Sequence, residues 1–449
     1  MSDRRGACPA LFTPMQTGDG LLARILPAEG ITPAAFAAFC AAARRHGNGT
    51  IEVSARGSLQ VRGLNVASAP HFADEVAALG IAALGVPVVS DPLPDHPAAL
   101  IDAAALAANL RAAIADANIV LPPKICVVVD GGGILHLDAL SADVRLRAYV
   151  DNGETRLAIA LGGDANTAAA LGSVPLEVAP DIVVEALRII GDARASDVLR
   201  AHGLDAFSKL PHVHPGLIRL QPRAQIEIIG AHPLRDARRA LGVGLAFGHA
   251  EAEILIALAE CASAHGGRAV RPAPGRALLL IGIAEQDVTA LAHEAARLGF
   301  VTRADDPRRR IVACPGAPAC ASGFIAARAI ASELADFHSP RPEELEGSEG
   351  VSKDGNEREL GHPSRRTRAS ARAPQDEGRG FLRARDLIHI SGCPKGCAHP
   401  RPATLTIVGS ERGCGIVEHG TARAPPRTYV APQQLVAHLA ERVSEPVHG

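Results

Sequence analysis

Apolar residues follow two alternating spacings along the first two thirds of the chain. Residues 33–45 form an Ala-rich run that predicts a helix, a Gly turn follows at His46-Gly47, and 51–64 predicts β-structure rich in branched side chains. A second helix is predicted over 72–79. The same succession returns later, with helices predicted over 250–264 and 288–298 and a strand region over 270–283. His46 and His265, Gly63 and Gly282, and Leu79 and Leu298 are each 219 positions apart (265−46, 282−63, 298−79). One ancestral unit therefore occurs twice, and each copy reads as a ferredoxin-like half-unit. Two similar halves pair around a pseudo-twofold axis and leave a cleft between them.

Each half-unit is followed by a segment of α/β pattern. In the first, 101–113 predicts a helix, and Ile125-Cys126-Val127-Val128-Val129-Asp130 a buried strand ending at Gly131-Gly132-Gly133. Strands over 145–150 and 156–160 flank Asp151-Asn152-Gly153, a hairpin signal. In the second, a strand over 309–313 runs directly into Cys314. The fold class expected is α+β, with half-domains at 1–80 and 201–300 and α/β lobes at 81–200 and 301–449. Residues 339–380 turn to Pro, Glu, Arg, Ser and Gly and predict a disordered insertion, with a regulatory or partner-binding loop as the alternative.

Charge and composition narrow the function. The 449 residues carry 46 Lys+Arg against 48 Asp+Glu, a net charge of −2, so no global field draws nucleic acid or an anionic membrane. Aromatics make up 3%, with no Trp and two Tyr, which argues against base-stacking surfaces. No apolar stretch approaches the ~20 residues that span a bilayer. The opening Met1-Ser2-Asp3-Arg4-Arg5 leads toward a proline and not into an apolar signal core, and the expectation is a cytoplasmic protein.

Nine cysteines in such a chain point to thiolate chemistry or metal binding more than to disulfides. Two pairs stand out: Cys314 and Cys320 in a C-x5-C loop, and Cys393 and Cys397 in a C-x3-C loop, both rich in Gly, Pro and Ala. Such loops fold closely around an inorganic core and turn N–H groups toward its sulfides, which favours a [4Fe–4S] cluster. Structural zinc, which usually takes thiolates from C-x2–4-C turns, and unrelated buried thiols are the competing readings. Cys8, Cys40, Cys126, Cys261 and Cys414 lack such spacing and read as small core residues.

The paired cysteine loops, the two half-units and Ala55-Arg56-Gly57-Ser58-Leu59-Gln60 resemble the sirohaem nitrite and sulfite reductase superfamily over nearly the whole chain. Arg5-Gly6-Ala7-Cys8-Pro9, the Phe247-Gly248 turn and His389-Ile390-Ser391-Gly392-Cys393-Pro394-Lys395-Gly396-Cys397-Ala398-His399-Pro400 are similar to the precorrin-3B synthases of aerobic cobalamin biosynthesis. The reductases bind their anion partly through a Pro-Arg-Lys-x-Lys strand. Here that stretch reads Pro122-Pro123-Lys124-Ile125-Cys126, with one cation left, so the oxyanion pocket looks dismantled.

The resemblance implies an internally duplicated nitrite/sulfite reductase-like fold and an iron–sulfur monooxygenase acting on precorrin-3A with O2. It implies a cluster on Cys314, Cys320, Cys393 and Cys397 and a mononuclear non-haem iron beside it, for which His389 and His399 are the candidate ligands or cluster neighbours. Whether sirohaem is bound stays open. Electrons come indirectly from NADH through a separate reductase or ferredoxin, and a sirohaem-dependent nitrite or sulfite reductase is the alternative. A precorrin carries many carboxylates, for which Arg56, Arg62, Arg276, Lys124 and Lys395 are the candidate partners, with Arg219 and Arg223 behind them. Alternation puts Arg56 and Arg62 on one face. His212 and His214 lie on a proline-flanked segment that reads as an exposed loop. The Gly242-Val243-Gly244-Leu245-Ala246-Phe247-Gly248 run follows a segment with helical composition, whereas a dinucleotide loop follows a strand.

Overall fold

The computed structural model describes residues 9–27, 30–214, 223–224, 226–338 and 386–444. Arg5, Gly6, Ala7, Cys8, Arg219 and the 339–380 segment lie outside the described residues. The chain forms two compact units, one of Met1–Arg309 with Pro318–Ala321, the other of Arg310–Ala317 with Ser322–Gly449.

In the first unit the helix Pro33–His46 begins at Thr32, whose hydroxyl accepts the Ala35 N–H, with proline in the first turn. Its apolar stripe buries Phe36, Phe39 and Cys40. The strands Thr50–Val53 and Leu59–Leu64 and the helix Ser68–Ala78 follow. The later copy consists of Ala252–Ala264, Ala269–Ala273, Ala277–Ile283 and Val288–Arg297. Helices and strands start in step: Pro33 with Ala252 and Thr50 with Ala269 keep the offset of 219 (252−33, 269−50).

The copies exchange edges. His249–Glu251 pairs antiparallel with Thr50–Val53, placing Ala250 opposite Ile51, and the Val270 N–H donates to the Ile31 carbonyl at 2.8 Å. These two contacts are equivalents under the 219-residue offset, the reciprocity that a twofold relation demands. The hairpin turns also meet: Arg56 bridges Pro274, and the Gly275 N–H donates to the Ala55 carbonyl at 3.1 Å. Phe36, Phe39 and Phe72 of one copy and Leu255, Leu258 and Leu280 of the other share one core.

The expectation of helix before the 242–248 glycine run is corrected: Arg239–Gly244 is a strand, hydrogen-bonded on one side to Gly230–Pro233 and on the other to Ala277–Ile283. The Arg/Ala composition gives only a weak helical preference, which pairing on both edges overrides. By the repeat offset this strand matches Gly20–Pro27, since 239−20 is again 219.

A five-stranded mixed sheet completes this unit in the order Ala169–Val174, Glu154–Gly163, Ala142–Asp151, Val127–Asp130, Val88–Ser90. Val127–Asp130 is buried throughout and parallel to both neighbours, which explains its unbroken apolar run. The predicted hairpin turn carries Asn152 at φ 49° and Gly153 at φ 86°, both left-handed as a type I′ turn requires.

The second unit is built on a sheet in the order Ile311–Ala313, Ile388–Ser391, Ala403–Ser410, Gly413–Gly420, Thr428–Val430, the first three strands parallel. The helices Ala327–His338 and Leu435–Ser444 accompany it. Among the described residues no helix is long and apolar enough to cross a membrane.

Candidate functional site

Parallel strands end on the same side of a sheet, and here that brings the starts of the two cysteine loops, at Cys314 and Cys393, to the same sheet end. Ala313 sits opposite Ile390, so the chain leaves Ile311–Ala313 into Cys314 beside the point where Ile388–Ser391 leads to Cys393. The Cys314 N–H donates to the Ile390 carbonyl at 3.2 Å, and its Sγ accepts the Gly392 N–H at 3.0 Å. Gly316 has φ 67°, and a Cβ there would lie 2.4 Å from Ala327 N; one at Gly392 would lie 2.8 Å from Gly316 Cα. The backbone therefore closes around the Cys314 sulfur as only glycine permits. Ser391 Oγ donates to the Cys393 carbonyl at 2.7 Å and pins the second loop at its start.

Cys393 is buried, Cys314 and Cys320 are half-buried and Cys397 is exposed. Among the described residues no three His, Cys, Asp or Glu side chains are gathered into a metal-holding group. The donor chemistry fits an iron–sulfur cluster all the same. Thiols on glycine-dependent loops, with a backbone N–H aimed at a sulfur, are the groups such a cluster uses.

His389 stands on its strand fully buried, and His399 packs edge-on against it with ring centroids 5.7 Å apart. The structure thus brings these two candidates together. Lys395 is exposed and donates to Ser322 Oγ at 2.7 Å.

The other candidate cations lie in the first unit and divide into two groups. Arg56 and Arg276 occupy the two hairpin turns that meet across the repeat relation. Arg56 is exposed, and its charge acts on the Cys126 thiol, although burial dominates there and pushes that thiol up. Arg276, at φ 64°, lays its side chain over Gly248, where a Cβ would stand 2.5 Å from Arg276 Cδ. Lys124 is exposed in the turn that precedes buried Ile125 and Cys126.

Arg62 departs from its expected place beside Arg56. It is 4% exposed, its Nε and Nη2 each 2.9 Å from the Asp19 carboxylate and its Nη1 3.5 Å from Glu52. Burial opposes its charge, but the hydrogen bond it donates to Asp19 and the charges of Glu52, Asp19 and Cys320 outweigh that and raise its pKa. Alternation failed because Arg56 belongs to the turn at 54–58 and not to the strand Leu59–Leu64. Arg223 likewise faces inward, donating to Asp130 Oδ1 at 3.1 Å and Asp138 Oδ1 at 2.7 Å.

Around Arg223 lies a group that sequence reasoning missed. Asp91 follows Val88–Ser90 and Asp130 ends the adjacent parallel strand, both 1% exposed. Asp91 Oδ1 accepts the Gly131 N–H at 2.8 Å, while its Oδ2 has no hydrogen-bond partner among the described residues. Burial first, then the Asp130 charge, push its carboxyl up to about 7. Acidic residues at two strand ends were the available signal, but their adjacency depends on strand order. His212, at φ 56°, is exposed, and His214 forms a backbone bridge to Ser173.

Residues 13–79 match the family described as nitrite/sulfite reductase ferredoxin-like half domain. A Mycobacterium tuberculosis protein solved as NirA superposes with a TM-score of 0.69 at 18% identity, over 96% of this chain and 82% of its own, a likeness of fold. A precorrin-3B synthase from Sinorhizobium sp is 34% identical over 448 residues, which span 98% of this chain and 88% of that protein. With that identity over nearly its full length, on a duplicated nitrite/sulfite reductase-like fold, the chain belongs to the precorrin-3B synthase family.

Proposed function

We propose that this enzyme converts precorrin-3A to precorrin-3B. One atom of O2 becomes a hydroxyl at the meso carbon C20, the ring A acetate closes a γ-lactone, and the second oxygen atom leaves as water after two electrons and two protons are supplied. The observation that carries the reading is the 34% identity over 98% of the chain.

Cys314, Cys320, Cys393 and Cys397 would hold a [4Fe–4S] cluster, which supplies one-electron transfer when bound. A reductase or ferredoxin in the cytoplasm, drawing on NADH, is the donor we assign. Buried His389, with His399 against it, would hold a second iron or support the cluster. Arg56 and Arg276, on turns that meet, suit pairing with the carboxylates of one large anion and orienting its ring. Lys124 and Lys395, both exposed, are the further cations assigned to substrate. Pro123 and the buried Cys126 stand where the reductases carry cations, and of that set Lys124 alone is kept, which weakens the hold on a small oxyanion and favours this reading over sulfite or nitrite reduction.

Mass spectrometry of the product formed under isotopically labelled O2 tests the reaction, with one labelled atom expected in the tetrapyrrole. Cys393→Ser should abolish both cluster and turnover. Product free of label from cluster-loaded protein, or full activity in the cluster-free variant, would overturn it.

A further inference from the structure

The buried Arg62 ties together parts of the chain far apart in sequence. Its fork holds Asp19, its Nη1 faces Glu52, and Nη2 also donates to the carbonyl of Ala319, the residue before Cys320. The same carbonyl accepts the Gly18 N–H at 3.2 Å. Gly18 lies so close to this stretch that a Cβ would stand 2.3 Å from the Pro318 carbonyl oxygen and 2.9 Å from the Cys320 carbonyl carbon. Backbone that belongs to no helix or strand is thus held by a charged hydrogen bond, an amide donor and direct packing.

We propose that Arg62 is a positioning residue for the cluster ligand Cys320: it fixes the 318–321 backbone and supplies a buried positive charge beside the thiolate. The inference rests on the reading of Cys320 as a ligand. Two consequences follow from separate physics. A charge-assisted hydrogen bond in a buried setting holds its acceptor more firmly than a neutral one, so loss of the guanidinium frees the loop. Reduction adds negative charge to a cluster, and a nearby buried cation stabilises the reduced form, so loss of that charge drives the midpoint potential more negative.

The test uses the full chain, reconstituted anaerobically with iron and sulfide. Arg62→Gln is expected to speed deuterium exchange of the 318–321 amides about tenfold or more in cluster-free protein, and to move the midpoint potential of the loaded protein more negative. Arg62→Lys keeps the charge without the fork, so exchange should quicken while the potential stays near that of the parent. Asp19→Asn retains Arg62 and removes a negative charge; it should quicken exchange and move the potential positive, and it carries the test if Arg62→Gln does not fold. Unchanged exchange and potential in variants that load the cluster would overturn the proposal. A parent protein that takes up no cluster under the same conditions would instead sink the ligand reading on which it stands.

Discussion

The most consequential single residues here are charged ones whose surroundings the chain order conceals. Asp91 has its carboxyl raised from 3.8 to about 7 by burial and by Asp130. A carboxyl whose folded pKa lies above its unfolded value stays protonated in the fold while the unfolded chain has already ionised. Stability is therefore lost as pH rises from about 4 to about 7, on the order of a few kcal/mol, and is level above that. Asp91→Asn keeps an oxygen for the Gly131 N–H and removes the charge. Urea unfolding should find it more stable than the parent at pH 8, with the gap closing at pH 5. Arg56 behaves oppositely: exposed and on a turn, it is free to meet a ligand. Arg56→Ala should raise KM for precorrin-3A about tenfold with kcat little changed, the signature in steady-state kinetics of lost uniform binding. Both side chains were visible in the sequence. Neither setting was: alternation put Arg56 on a strand face with Arg62, whereas it stands in the turn at 54–58, and Asp91 acquires its neighbour through the pairing of Val88–Ser90 with Val127–Asp130.

At the scale of elements, the cysteine loops depend on where two short strands stop. Ile311–Ala313 and Ile388–Ser391 are far apart in sequence, and their parallel pairing is what delivers Cys314 and the Gly392 N–H to each other. Gly316 makes the return of the loop possible. Gly316→Ala adds left-handed strain of about 1 kcal/mol and a clash with the Ala327 and Ile325 backbone. Iron per chain after reconstitution should fall well below that of the parent. Gly153→Ala is the matching control, since Gly153 is also left-handed but has nothing within 4 Å of the added carbon. It should cost only the strain and leave iron content unchanged. Helices with caps and glycine stops are legible in the amino-acid order alone, as Thr32, Pro33 and Gly47 illustrate at the ends of Pro33–His46. Arg239–Gly244 is not, because its residues carry weak propensity and its identity as a strand comes from two partners elsewhere in the chain.

For the molecule as a whole, the duplicated halves are one folding problem and not two. Phe39 lies in a core shared with Leu255 and Leu258 of the other copy, and the copies exchange strand edges. Phe39→Ala should therefore cost about 3–5 kcal/mol, and hydrogen exchange should quicken in Ala252–Ala264 as much as in Pro33–His46. Quickening confined to the first helix would mean that the halves unfold separately. The amino-acid order by itself determined the duplication, the α+β class, the paired cysteine loops and the resemblance that led to the family, because each is written in local spacing or in self-similarity at one offset. Tertiary structure alone decided which arginines face outward and which are held inside, that Asp91 sits beside Asp130, and that Arg62 donates to the carbonyl of Ala319, next to Cys320. Those outcomes depend on strand order and burial, and electrostatic energies change with both far more steeply than any sequence pattern records.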